Sequence, residues 1–270
     1  MIEPEAIELL LHKVANRYGY DFSEYARASL HRRIDLFYTK TKQPSFALMS
    51  ERLMQDSIFF MNFVEQITVN VTEMFRDANF YKMLREDVLP VLATYPFIRI
   101  WHAGCSTGEE VYSLAIILKE ANLLHKSILY ATDINQAVLA KAKTGIFPVS
   151  AMQQNSENYI RSGGREDFSS YYQANYNNAK FDASLSEKMI FSTHNLVVDA
   201  SFNEFQLILC RNVLIYFNRD LQARVLQLFD RSLESLGFLA LGSKESLKFS
   251  PIAPYYKQVV YNEKVWRKNK

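Results

Sequence analysis

The stretch 97–114 limits the possible folds of this chain more than any other part of it. Phe97 to His102 is a short apolar run of the kind a buried strand makes. A small-residue turn follows, Ala103-Gly104-Cys105-Ser106-Thr107-Gly108, and Glu109-Glu110-Val111-Tyr112-Ser113-Leu114 then opens a helix with an apolar face. Gly104 and Gly108 bracket a loop where a missing Cβ lets backbone approach a ligand or take a positive φ. The unpaired N–H groups of the following helix point into that turn. A strand, glycine turn and helix in this order form the ligand-binding edge of a doubly wound α/β sheet.

The spacing of the glycines narrows the ligand. A dinucleotide fingerprint reads GxGxxG and sets a pyrophosphate on the helix N-terminus. Here the spacing is GxxxG, and Glu109 and Glu110 occupy the first turn. Carboxylates there suit the helix dipole but repel a pyrophosphate. A cationic or hydroxyl-rich ligand fits better, and an NAD-dependent reductase is disfavoured. A second apolar strand, Ile128-Leu129-Tyr130-Ala131-Thr132, ends in Asp133. An acid at that place either accepts hydrogen bonds from a ribose or caps the helix expected over 136–143.

The chain has 270 residues, 49% of them hydrophobic and 22% charged, with a net charge of +2. That length suggests roughly two domains, and no basic stripe marks a nucleic-acid binder. The two cysteines, Cys105 and Cys210, fall at the ends of expected central strands, and a chain of this size needs no disulfide framework. The N-terminus has no basic, apolar leader pattern, and no apolar run approaches the roughly 18 residues that span a bilayer. The expectation is a cytoplasmic protein with no direct membrane insertion and no nucleic-acid partner. The five histidines are scattered, without metal-ligand spacing, so no metal is expected.

Residues 5 to about 70 have helical periodicity: Ile7, Leu10, Leu11 and Val14 form one stripe, and Leu30, Ile34, Phe37 and Tyr38 another. Gln43-Pro44-Ser45 breaks the pattern before a further helix. The run Arg27 to Lys42 holds Arg27, Arg32, Arg33, Lys40 and Lys42 against the single acid Asp35. Arg32 falls opposite the apolar face, with His31 and Arg33 flanking that face. The run is either a solvated surface or a dock for an acidic helix. From residue 76 strands alternate with helices, the mark of a mostly parallel sheet. Strands are expected at 97–102, 128–133, 188–194, 205–210 and 237–242, with a closing antiparallel hairpin at 256–261 and 263–267. This layout matches the seven-stranded S-adenosylmethionine-dependent methyltransferases. Residues 146–187 interrupt it with a polar, aromatic stretch containing a Ser162-Gly163-Gly164 turn, too long for a structureless loop.

Four motifs carry a family resemblance: Asn70-Val71-Thr72-Glu73-Met74-Phe75-Arg76; the glycine loop with Glu109-Glu110; Ala131-Thr132-Asp133-Ile134-Asn135; and Cys210-Arg211-Asn212-Val213-Leu214-Ile215-Tyr216-Phe217. With the late Leu241-Gly242-Ser243-Lys244-Glu245-Ser246-Leu247 they closely resemble the chemotaxis receptor glutamate methyltransferases, the CheR family, in order and approximate spacing, from about residue 5 to 265. The resemblance implies a helical domain over 1–72 and a Rossmann-like methyltransferase domain over 73–270. It also implies an inserted antiparallel β-subdomain at about 146–187. In some relatives the edge of that insert captures a receptor's C-terminal peptide by strand addition. Those relatives carry a longer glycine-rich turn than Arg161-Ser162-Gly163-Gly164-Arg165, so such tethering is not expected here.

The implied cofactor is S-adenosylmethionine, with S-adenosylhomocysteine as product, and the implied substrate is the cytoplasmic domain of a chemoreceptor. By the same resemblance Asn70, Thr72, Arg76, Gly104, Glu110, Asp133, Asn195, Leu196, Arg211 and Asn212 surround the cofactor. Sequence leaves open whether Glu109 or Glu110 faces it, with Glu110 preferred. Carboxylate methylation needs no general base, because the acceptor is ionised at neutral pH and the methyl is already activated. Orientation is then the main catalytic device. Arg76, whose planar fork suits a carboxylate, and Tyr216, with its hydroxyl near the transferring methyl, are the catalytic candidates. A helix-surface arginine paired with Glu73, and a core tyrosine beside Phe217, are the plain structural readings of the same two residues. Competing functions are a methyltransferase with another protein or small-molecule acceptor, and a non-catalytic cofactor-binding module.

Overall fold

The computed structural model describes residues 2–68, 72–260 and 262–269. The chain divides into two compact units, Met1–Asn70 with Leu214–Arg224, and Val71–Val213 with Val225–Lys270.

The first unit is built on four helices, α1 (Pro4–Tyr18), α2 (Arg27–Thr41), α3 (Phe46–Gln55) and α4 (Ser57–Ile67). Their ends follow from local chemistry. Pro4 opens α1, and Gly19 closes it at φ +75° with its N–H on the Ala15 carbonyl. The side chains of Ser45 and Asp56 accept N–H bonds from Leu48 and Phe59, capping α3 and α4. Ile7, Leu10, Leu11 and Val14 of α1 meet Leu30, Ile34 and Phe37 of α2 and the buried phenylalanines of α4 in one apolar core. The return segment Leu214–Arg224 adds its own contacts to this unit. The Asn218 N–H donates to the Glu24 carbonyl at 2.9 Å, Tyr25 meets Phe217 edge to face, and Arg224 pairs with Glu24.

The second unit starts with a helix that runs from α5 (Ala78–Met83) through a π-helical turn (Leu84–Val88) into α6 (Leu89–Leu92). The strands and helices then alternate: β1 (Ile98–Ala103), α7 (Glu109–Glu120), β2 (Ser127–Asp133) and α8 (Gln136–Thr144). The insert follows as β3 (Ile146–Pro148), α9 (Met152–Arg161), β4 (Tyr172–Asn175), β5 (Asn178–Phe181) and a single turn, α10 (Ala183–Ser186). The chain closes with β6 (Met189–Thr193), β7 (Phe205–Cys210), α11 (Arg219–Ser232), β8 (Leu233–Leu241), β9 (Tyr256–Gln258) and β10 (Val265–Lys268). The main sheet has the order β6-β2-β1-β7-β8-β10-β9. β6, β2, β1, β7 and β8 are parallel, and β10 is antiparallel to both its neighbours. The strand order reverses between β1 and β7, which puts a crevice at their carboxyl ends.

Both faces of the central strands are covered, as parallel strands require. Ile98 and Ile100 share one face of β1 with His102 and pack with Leu114 and Ile117 of α7. Trp101 faces the other way, against Phe205 and Phe229, with its indole N–H on Thr132 Oγ1 at 2.8 Å. Among the described residues no helix is long and apolar enough to cross a membrane.

Four local expectations change. The polar stretch 146–187 holds a helix, α9, that the Ser162-Gly163-Gly164 turn ends; the hairpin turn of the insert is Tyr176-Asn177, between β4 and β5. β8 begins at Leu233, not 237, because a register shift between Phe205 and Leu207 lets Phe205 pair with Leu233. Asn135, not Asp133, caps α8, its Oδ1 accepting from the Ala137 N–H at 2.9 Å. In the closing hairpin β9 stops at Gln258, and Tyr261 lies outside the described residues.

Candidate active site

The glycine loop is held by strand β2. The N–H groups of Gly104 and Cys105 both donate to the Thr132 carbonyl, at 2.8 and 2.9 Å. Gly104 has φ +80° and Gly108 φ +97°, and Ser106 between them is also left-handed. The glycines are required for packing as well as for φ. An added Cβ would lie 2.5 Å from Val213 Cγ2 at Gly104, and 3.0 Å from the Ala142 Cβ of α8 at Gly108.

Asp133 organises this loop from the end of β2. Its Oδ2 accepts the Ser106 N–H and its Oδ1 the Asn135 N–H, both at 2.9 Å. Burial pushes its pKa up, and these backbone N–H bonds oppose the shift. Each carboxylate oxygen keeps a further lone pair for a hydroxyl donor. The Asp133 carbonyl accepts the His194 N–H, which brings Asn195 to the neighbouring strand end. Asn195 is buried; its N–H donates to Asp199 Oδ2 at 2.7 Å, and its Oδ1 accepts the Val197 N–H at 2.9 Å. Leu196 is half-buried on the same turn.

Arg211, one residue beyond β7, ties three segments together. Its side chain is 3% exposed and lies over the Phe80 ring, 4.0 Å from the centroid. Nη2 donates to Asp77 Oδ2 at 2.6 Å and to the Arg76 carbonyl at 3.3 Å, while Nη1 reaches Glu110 Oε2 at 3.3 Å. Burial opposes its charge, but Glu110, Tyr81 and Asp77 outweigh that and hold it protonated. The other oxygen of Glu110 meets Nδ1 of the fully buried His102 at 2.9 Å. Burial would raise the Glu110 pKa; the bonds to His102 and Arg211 overcome it and leave the carboxyl below its ordinary value. Glu109 has a different partner, the Thr107 hydroxyl at 2.6 Å, and burial raises its pKa. The two glutamates are thus distinguished: Glu110 joins the Arg211 cluster and Glu109 braces the loop.

Arg76 sits in a non-helical bend and is half-buried, so the picture of a helix-surface arginine does not apply. Phe75 and Asp77 on either side of it are left-handed. The bend is pinned by partners that sequence reading missed. Asn155 Oδ1 accepts the Met74 N–H and Asn158 Nδ2 donates to the Met74 carbonyl, each at 3.1 Å, while Ser113 Oγ accepts the Phe75 N–H at 3.0 Å. Thr72 is half-buried at the start of the segment, and Asn70 lies outside the described residues. Asn212 is left-handed at φ +62°, its N–H donating to Glu245 Oε2 at 3.0 Å. Tyr216 belongs to the helical unit, where the Arg33 guanidinium covers its ring. Cys105 and Cys210 are unpaired thiols. Burial pushes both pKa values well up, which keeps them unreactive.

These residues fit S-adenosylmethionine. Asp133 offers an acceptor pair to a ribose diol, and Glu110, whose carboxyl is held below its ordinary pKa, keeps a negative charge at the same strand ends. The buried Ser106 Oγ, His102 Nε2 and Arg211 Nε have no hydrogen-bond partner among the described residues, so polar capacity remains at this strand end.

Comparison with known proteins agrees with this cofactor. The profile described as "CheR methyltransferase, SAM binding domain" matches residues 70–259, and "CheR methyltransferase, all-alpha domain" matches 5–68. The chain is 46% identical to the Pseudomonas putida protein Cher3, across 97% of this chain and 96% of that one. It is 34% identical to the chemotaxis protein methyltransferase of Listeria innocua, across 85% of each. Against the Borreliella burgdorferi chemotaxis protein methyltransferase the identity is 26%, across 97% of this chain and 95% of that one. Matches over both parts of the chain, together with a sheet-end site suited to the methyl donor, show that it belongs to the CheR family of S-adenosylmethionine-dependent methyltransferases.

Proposed function

We propose that this protein is a protein-glutamate O-methyltransferase that esterifies glutamates on the cytoplasmic helices of chemoreceptors, for adaptation in chemotaxis-type signalling. The observation that carries the reading is the Arg211 tie. By bonding Asp77 and the Arg76 carbonyl as well as Glu110, it fixes the Arg76 segment at the same strand ends as the glycine loop. The names of the Listeria and Borreliella relatives support the chemotaxis assignment.

S-adenosylmethionine supplies a methyl group already activated by its sulfonium. In this reading Asp133 accepts from the ribose hydroxyls, Asn195 and Leu196 take the adenine side, and Glu110 with Arg211, Asn212, Thr72 and Asn70 completes the cofactor pocket. Gly104 lets the loop backbone come close. Arg76 holds the acceptor carboxylate with its fork, and Tyr216 places a hydroxyl beside the methyl path. No proton has to move, so rate comes from alignment. The exposed face of α2, with Arg32 and, one turn on, Leu36, is the proposed dock for an acidic receptor helix.

The test is transfer of labelled methyl from S-adenosylmethionine to chemoreceptor-containing membranes of the same cell. Esterified glutamate releases methanol in alkali. Alkali-stable product, or label on a small molecule only, would move the activity to another acceptor.

A further inference from the structure

The segment Gly242-Ser243-Lys244-Glu245 after β8 contains a buried carboxylate that has no part in the roles assigned above. Glu245 is 5% exposed. Its Oε2 accepts two backbone N–H bonds, from Gly242 at 2.6 Å and from Asn212 at 3.0 Å. The Glu245 N–H returns to the Gly242 carbonyl at 2.9 Å, closing the turn on itself. A buried carboxylate is costly unless its acceptors are used, and charged acceptors make the stronger hydrogen bonds.

Gly242 shows how closely this turn meets the strand end opposite. A Cβ there would lie 2.7 Å from the Asn212 nitrogen and 2.9 Å from its Nδ2. The Asn212 backbone and its side-chain amide therefore rest directly on the Gly242 backbone. Asn212 itself is left-handed, a conformation that asparagine tolerates better than most residues but that still needs support from its surroundings.

We infer that Glu245 is a positioning residue of the cofactor site: it fixes the left-handed backbone of Asn212 and so aims the Asn212 amide at S-adenosylmethionine. The inference rests on the assignment of Asn212 to the cofactor pocket. It adds a contact that the Arg211-Asn212 motif does not contain, supplied from a turn some thirty residues later in the chain.

The experiment is calorimetric titration of the full-length protein with S-adenosylmethionine and S-adenosylhomocysteine. The variants are Asn212→Gly, Glu245→Ala, Glu245→Gln and the double variant Asn212→Gly with Glu245→Ala. Circular dichroism and thermal melting report on the fold of each. Asn212→Gly keeps the left-handed conformation available and removes the amide; it should weaken binding by roughly tenfold. Glu245→Ala should do the same, the double variant should bind no worse than either single one, and Glu245→Gln, which keeps an acceptor oxygen, should restore most of the affinity. The Gln variant decides the matter if the Ala variant fails to fold, since a loss of affinity there equal to that of Asn212→Gly would overturn the inference. Wild-type affinity in a folded Glu245→Ala protein, or losses that add in the double variant, would overturn it too. Unchanged binding by Asn212→Gly would instead remove Asn212 from the pocket, a separate failure that takes the premise away.

Discussion

The Arg33 guanidinium lies over the ring of Tyr216, 4.8 Å from its centroid. Its Nη1 donates to the Ile67 carbonyl at 2.7 Å and its Nη2 to Ser29 Oγ at 3.0 Å. Burial lowers the Arg33 pKa, and the neighbouring Tyr216 acts in the opposite direction. Arg33 is therefore committed inside the helical unit, whereas Arg32 next to it is exposed. The two adjacent arginines should respond differently to the same change. Arg33→Glu should destabilise the protein by about 1.5–3 kcal/mol, the value of hydrogen bonds to a charged group. Arg32→Glu should stay within about 0.5 kcal/mol. It should instead slow receptor methylation at limiting receptor and low salt. Urea unfolding paired with methylation rates separates the two; equal stability losses would undo the distinction.

Asp133 should control cofactor affinity. Asp133→Ala removes a charged acceptor worth about 1.5–3 kcal/mol, a loss of roughly ten- to a hundredfold in binding. Because burial raises its pKa, the carboxyl protonates at a higher pH than an ordinary aspartate. Wild-type affinity should thus fall on acidification before the ordinary aspartate range is reached, and the Ala variant should lack that step. Titration calorimetry across pH reads both, and an unchanged affinity in the variant would remove Asp133 from the ribose.

Glu110 should affect stability as well as binding. Its pKa is lowered in the folded protein, so the stabilisation is complete above the unfolded value and is lost as pH falls through the folded one. Removing one partner of a buried pair costs about 3–5 kcal/mol. The difference in unfolding free energy between wild type and Glu110→Ala should be largest near neutral pH. It should shrink once pH drops below the unfolded glutamate value of about 4.3. A difference that stays constant down to pH 3 would mean that the carboxylate charge is not the stabilising element.

Asn158 pins the carbonyl of Met74, two residues before Arg76. Asn158→Ala leaves that buried carbonyl short of a donor, at a cost of about 1–3 kcal/mol. If the bend aims Arg76, single-turnover methyl transfer should slow by more than cofactor affinity weakens, since a shift of about 1 Å can cost on the order of a hundredfold in rate. Parallel stopped-turnover and binding measurements would expose the opposite ranking.

The strands were the most legible part of this chain, because runs such as 128–131 and 207–210 are apolar on both faces and bounded by polar residues. The glycine loop was legible for a related reason: Gly104 and Gly108 take positive φ where little else fits. Helix α9 was hidden because its buried face includes Asn155 and Asn158, so its inward side does not read as apolar. Those amides face inward to hold the Met74 backbone, a contact across more than eighty residues that no local pattern contains. Asp133 had two open roles; the short Asn135 side chain took the cap and left the acid to the loop. Likewise, the helical pattern put Arg32 opposite the apolar face and Arg33 beside it, but the partners that hold Arg33, the Ile67 carbonyl and the Tyr216 ring, lie far away in sequence.

Glu120, the last residue of α7, binds Arg85 from the π-helical turn and the hydroxyls of Tyr159 and Tyr171 from the insert. At the end of the first turn of the same helix, Tyr112 packs against Phe147 and Phe181 of the insert's small sheet. The first turn carries Glu109 and Glu110. Twelve residues of helix rise about 18 Å, so α7 works as a ruler with the glycine loop at zero and the anchor of the insert at its far mark. The hairpin tip at Tyr176 is 95% exposed, so a change in its length need not shift the origin of the scale. A tug on the insert is passed to the loop along this rod, at Tyr112 as well as at Glu120.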